Sequence, residues 1–278
     1  MLKKLLKYDF KFIFKYWWIV ATVCLSLSAV GGFCLRTLVS SISERELPAV
    51  VTSSANFVLV LTIMSFVAFA LTAPILIFIR FYKNFFSDEG YLTFTLPVKL
   101  TTHINSKVIL STLTTVCTVI AIGICVFVML CIGFWEDFWS KEFWQRVGDI
   151  IKTYFDSNVL CRIIYIIEFL LLFVLAAAFS NLFLFFCITL ACTVTKKARV
   201  ITSIGIYYGV NWVISLIMQI FAIFGISAIA VYFENIAENL LEPVLCLTGL
   251  GILLLISILC VILYAVQHKL LDRKLNLA

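Results

Sequence analysis

Six stretches of this chain are too long and too apolar for a water-soluble fold: residues 16–38, 55–79, 108–134, 161–193, 200–226 and 244–266. A bilayer's hydrocarbon core takes about 20 residues of helix but only about 10 of a barrel strand. In lipid, every backbone N–H and C=O must be satisfied within the protein. The runs are therefore helices, and the expected fold is an all-α polytopic membrane protein with six transmembrane helices. Composition agrees. The 278 residues are 63% hydrophobic and 13% charged, where a soluble domain carries about 25% charge. The mean hydropathy is +1.13.

Charge sorts the connections between the runs into two sets. Lys3, Lys4, Lys7, Lys11 and Lys15 precede the first run, and Arg80, Lys83, Lys99 and Lys107 flank the second connection. Lys196, Lys197 and Arg199 form the fourth, and Lys269, Arg273 and Lys274 follow the last run. Those fifteen cations fall on one side, against six (Arg36, Arg45, Lys141, Arg146, Lys152, Arg162) on the other. The positive-inside rule makes the first side cytosolic. Both termini are then expected in the cytosol, and the chain is expected to be a single six-span domain over 1–278.

Two segments outside the spans carry helical periodicity. In residues 1–15 the lysines alternate with Leu2, Leu5, Leu6, Phe10, Ile13 and Phe14, which suits a short helix in the headgroup layer touching membrane lipid. The run that follows is too long for the apolar core of a secretory signal, so it is taken as the first span. Residues 135–155 repeat apolar positions every three or four residues, from Trp135 to Tyr154, with charges between. This predicts an outer amphipathic helix between spans 3 and 4, either floating at the interface or lying as a lid over an exit path. The fourth run is long enough to need a tilt, a break or an extension beyond the bilayer, and Ser180–Asn181 is the candidate break. Pro74 is expected to bend the second span.

Few residues offer chemistry. There is no GxxxxGK[ST], no HExxH and no GxSxG, and the two histidines, His103 and His268, lie outside the apolar runs. No cofactor, metal or nucleic acid is expected, and any ATP hydrolysis belongs to another subunit. The ten cysteines lie in or beside apolar runs without CxxC spacing and read as small packing residues. Glu168 is the one acidic residue inside a run; it either reaches the outer boundary, pairs with Arg162, or serves a path. In the fifth run Ser203, Tyr207, Asn211, Ser215 and Gln219 recur every fourth residue. Each step turns about 40° around a helix, giving a winding polar stripe that either bonds a neighbouring helix or lines a substrate path. Gly205 and Gly209 form a GxxxG in the same run.

The longest cytosolic connection is RFYKNFFSDEGYLTFTLPVKLTTHINSK, residues 80–107. Asp88 and Glu89 precede Gly90, an amphipathic YLTFTL follows, and Pro97 stops it. This order, with Ser106-Lys107 downstream, resembles the permease subunits of type-2 ATP-binding-cassette exporters, especially small permeases of Gram-positive bacteria. The resemblance implies a cytosolic coupling helix between spans 2 and 3, docking through Asp88, Glu89, Gly90, Tyr91, Leu92, Phe94 and Pro97 on a separate ATPase subunit. It further implies a second permease copy or paralogue, a place in the bacterial plasma membrane, and a path lined by spans 2 and 5. The stripe Ser203, Tyr207, Asn211, Ser215 and Gln219 would then face the substrate. The 135–155 segment is longer than the family's usual loop. Peptide, lipid and drug-like substrates all fit an aromatic-rich path. The alternatives are an ion-coupled secondary transporter and a non-transporting membrane anchor or sensor.

Overall fold

A computed structural model describes residues 2–43, 48–87, 90, 99–156, 159–195, 198–234 and 238–275, with side chains described except at 2–4, 41–43, 156, 218, 221–234, 238–245 and 273–275. The described residues form eight helices and no strand: α1 (Leu2–Ser43), α2 (Ala49–Phe86), α3 (Leu100–Gly133), α4 (Trp135–Phe138), α5 (Lys141–Asp156), α6 (Val159–Val194), α7 (Arg199–Glu234) and α8 (Glu238–Leu275). Six of them, all but α4 and α5, are long and apolar enough to span a membrane.

These six helices outlast the apolar runs that mark them. The 42 residues of α1 make a rod of about 63 Å, twice the hydrocarbon thickness. No break separates residues 2–15 from the first span; the basic N-terminal turns continue the same helix. Helix α2 runs through Pro74, and α6 runs unbroken through Ser180 and Asn181. Both polar side chains donate back to the Ala177 carbonyl, Ser180 at 3.0 Å and Asn181 at 2.8 Å, so they leave the ladder intact. The same economy holds elsewhere. The hydroxyls of Thr22, Thr62, Thr72, Thr114 and Thr189 each donate to the carbonyl four residues earlier.

The amphipathic segment after α3 is two helices rather than one. Ser140 divides them: its Oγ accepts the Phe143 N–H at 3.2 Å, capping α5, and donates to the Asp137 carbonyl that ends α4.

The chain forms two compact units. The first comprises residues 1–80 and 110–157, with α1 packed against α2 and α3. Its core is Trp17, Cys24, Phe69 and Cys125. Trp17 donates its indole N–H to Thr118 Oγ1 at 2.8 Å, and Ser28 donates to the Cys125 carbonyl. Gly31 and Gly32 make the close approach possible. A Cβ on Gly31 would fall 2.6 Å from Thr62 of α2, and one on Gly32 would fall 2.8 Å from Ile132 of α3. At one end of this unit Arg80 Nε donates to Asp9 Oδ1 at 2.7 Å, and its guanidinium lies 4.9 Å above the Phe12 ring.

The second unit comprises residues 81–109 and 158–278. Helix α6 is its centre and packs on both α7 and α8. Its C-terminal half, Leu182 to Cys192, is almost wholly buried. The last residues of α2 and the first turns of α3 belong to this unit.

Candidate functional site

The connection between α2 and α3 is rooted on α6 and α8. Phe81, near the end of α2, stacks on Phe185 of α6 with ring centroids 4.2 Å apart and planes 16° from parallel. Both rings are buried to about 1% exposure. Near the start of α3, Asn105 Oδ1 accepts the Tyr264 O–H of α8 at 2.7 Å. Both flanks of the predicted coupling element therefore hold to helices far along the chain.

Of the predicted docking residues, Gly90 alone is described. Asp88, Glu89, Tyr91, Leu92, Phe94 and Pro97 lie outside the described residues. Gly90 is buried, and its N–H donates to the Ser87 carbonyl at 2.7 Å, folding the chain back over the end of α2. A Cβ there would meet the Phe85 carbonyl carbon and oxygen at 3.1 Å. A side chain there would require the Phe85 backbone to give by a few tenths of an ångström. On the far side, the Lys99 carbonyl accepts the Thr102 N–H at 2.9 Å and opens α3.

The roots of the connection are polar and buried. Asn84, His103, Ser106 and Lys107 are all less than 9% exposed. In α8, Gln267 is fully buried, and neither amide atom has a hydrogen-bond partner among the described residues. This concentration of buried polar groups was not apparent from hydropathy, which scores 99–107 as surface. The spacing His103, Ser106, Lys107, with steps of three and four, is the signal that could have revealed one helical face.

The polar stripe of α7 emerges along its length. Ser203 is buried, Tyr207 and Asn211 are half-buried, and Ser215 and Gln219 are exposed. The progression follows from the 40° winding, which carries each successive residue further from α6. Tyr207 lies 5.8 Å from the Phe183 ring of α6, and Asn211 follows it one turn further along α7. Gln219 donates to Ser215 Oγ at 3.3 Å. At the lower end Ser203 donates to the Val200 carbonyl at 2.7 Å and Tyr207 packs on α6, while the upper end is exposed. Gly205 and Gly209 have nothing within 4 Å of a Cβ position among the described residues, so neither makes a close helix contact there.

Glu168 is nearly buried. It is 8% exposed, its carboxyl lies against the Gly249 backbone of α8, and Oε1 has no hydrogen-bond partner among the described residues. Gly249 supplies the room, because a Cβ there would overlap Glu168 Oε2. All ten cysteines are free thiols. Among the described residues no three His, Cys, Asp or Glu side chains group as a metal site. Comparison with protein-family models, curated proteins and solved structures finds no match to this chain.

Proposed function

We propose that the chain is the membrane-spanning permease subunit of an ATP-binding-cassette transporter, moving an amphipathic substrate outward through the bacterial plasma membrane. ATP is hydrolysed on a separate subunit, and two permease copies or paralogues enclose the path. Both termini face the cytosol. The observation that carries this reading is the connector between α2 and α3. It bears the acidic pair, glycine, short apolar stretch and proline of a docking element. Its two flanks are held by Phe185 of α6 and Tyr264 of α8. A push on that connector is delivered to a helix unit whose α7 carries the polar stripe from Ser203 to Gln219. Transport is then a change in the exposure of that stripe, with no covalent step on this chain.

The test begins with co-purification of the chain with the ATPase encoded nearest to it, followed by ATP hydrolysis in reconstituted membranes. Asp88→Lys with Glu89→Lys reverses the charge of the docking element and should abolish both association and ATP-driven transport. Retention of both would overturn the reading. Transport driven by an imposed ion gradient without ATP would instead identify a secondary carrier.

A further inference from the structure

Below the first unit's helix ends lies a cleft of about 610 Å³, formed by the last turns of α3, by α4 and by the start of α5. Its volume falls within the roughly 300–1,000 Å³ of small-molecule sites. The floor is Phe127, Leu130, Cys131 and Phe134; Phe138 and Phe143 form the wall. Phe138 is the hub of an aromatic cluster, with Phe127, Phe143 and Trp144 rings at 5.9, 5.5 and 5.6 Å. The wall is braced from α1. Arg36 pairs with Glu136 at 3.1 Å, and Leu35 packs against the Gly133 backbone.

Two features say what the cleft takes. The first is its depth in the bilayer. It sits where a membrane-length helix ends, and the exposed Trp135, Trp139 and Trp144 around it are residues that favour the membrane–water boundary. An occupant there has one end in lipid and one in water. The second is charge. The rim carries Asp137, Glu142 and Arg146. Glu142 and Arg146 offset each other at 3.6 Å, whereas Asp137 has no ion pair among the described residues. The surplus at the mouth is one negative charge, beside aromatic rings that themselves attract cations.

We propose that this cleft binds a cationic amphiphile, with an alkyl or comparable apolar tail against Phe127, Leu130 and Phe134 and an ammonium-type head at Asp137. An anionic head would meet the surplus charge of Asp137, since Glu142 is already offset by Arg146. The site stands on these residues alone and does not depend on the transport reading.

Cys131 on the floor reports occupancy. The full chain is placed in bilayer nanodiscs of zwitterionic lipid. Alkylation of Cys131 is followed by residue-resolved mass spectrometry, with Cys34, outside the cleft, as reference. Dodecyltrimethylammonium should slow modification of Cys131 and leave Cys34 unchanged. Dodecyl sulfate should require roughly tenfold more for the same protection, the size of a one-charge interaction at a water-facing rim. Tetramethylammonium, a head without a tail, should not protect. Asp137→Asn should remove the preference for ammonium over sulfate, and Leu130→Trp, which fills the floor, should weaken protection by both. Equal protection by the two charged amphiphiles in the unsubstituted chain would mean a groove that any tail fills, and would overturn the proposal. So would absence of protection, or an ammonium preference that survives Asp137→Asn.

Discussion

Arg80 and Asp9 stand 71 positions apart in sequence, and a 2.7 Å hydrogen-bonded ion pair joins them. Asp9 is the one acidic residue among the first 43, and it stands amid five lysines. Its side chain is 4% exposed and that of Arg80 is 20% exposed, so water screens the pair poorly. Removing one charge from such a pair costs more than removing both. Arg80→Gln should lower stability by about 3 kcal/mol, and Asp9→Asn with Arg80→Gln should recover part of that loss. Thermal unfolding of the detergent-purified chain measures both. A double variant no more stable than Arg80→Gln would mean the two residues are not coupled.

Gly249 and Glu168 are predicted to be coupled through volume. Gly249→Ala places a methyl group where the carboxyl lies. The colliding atoms end a flexible side chain, so the cost should be at the low end for overpacking, about 1 kcal/mol. In a Glu168→Ala background the same substitution should cost nothing. A double-mutant cycle on unfolding midpoints gives the interaction directly. A penalty for Gly249→Ala that is the same in both backgrounds would argue against the contact.

Glycines in this chain divide by what surrounds them. A Cβ on Gly32 would lie 2.8 Å from Ile132 Cβ and 2.9 Å from the Met129 carbonyl oxygen, neither of which can swing away. Gly32→Ala should destabilise by about 2 kcal/mol. Gly123, within the same unit, has nothing within 4 Å among the described residues, so Gly123→Ala should be neutral or gain up to about 1 kcal/mol of helix propensity. Comparative thermal melts of the two single variants check the contrast; equal effects would count against the close packing of α1 on α3.

Asn211 is where the stripe of α7 turns from packed to open. Asn211→Leu keeps the branched shape, adds some volume and removes the amide one turn beyond Tyr207. If the stripe lines a path, this variant should reduce ATP-driven transport in membrane vesicles several-fold while its yield in the membrane stays near that of the unsubstituted chain. A parallel fall in yield and transport would mark the stripe as packing alone.

Much of the helix framework was legible in the sequence, because apolar length alone decides that a run crosses lipid. The ends were not. Hydropathy marks where the oil stops, whereas the backbone ladder of α1 or α8 continues into polar sequence wherever nothing interrupts it. Ser180 and Asn181 looked like a break because polar residues inside an apolar run are unusual. Each found its acceptor one turn back and needed no opening. The division at Ser140 was missed for the opposite reason: one hydroxyl ended one helix and began the next within a periodicity that runs on regardless. Of the candidate site, the α7 stripe was legible as a spacing, but its emergence from buried to exposed depended on α6. The ties of Phe81 to Phe185 and of Asn105 to Tyr264 link positions with no shared local pattern, and only the folded chain brings them together.

The threonine hydroxyls have a consequence for movement. Thr22, Thr62, Thr72, Thr114 and Thr189 bond to carbonyls of their own helices. Such bonds travel with the helix. A helix satisfied in this way can turn about its axis or slip lengthwise past a neighbour without exposing a polar group to lipid. The bonds from Trp17 to Thr118 and from Ser28 to the Cys125 carbonyl are of the other kind, and either motion would break them. Between α1 and α3, then, register is fixed by polar stitches, while a helix that carries only internal bonds is held by shape alone.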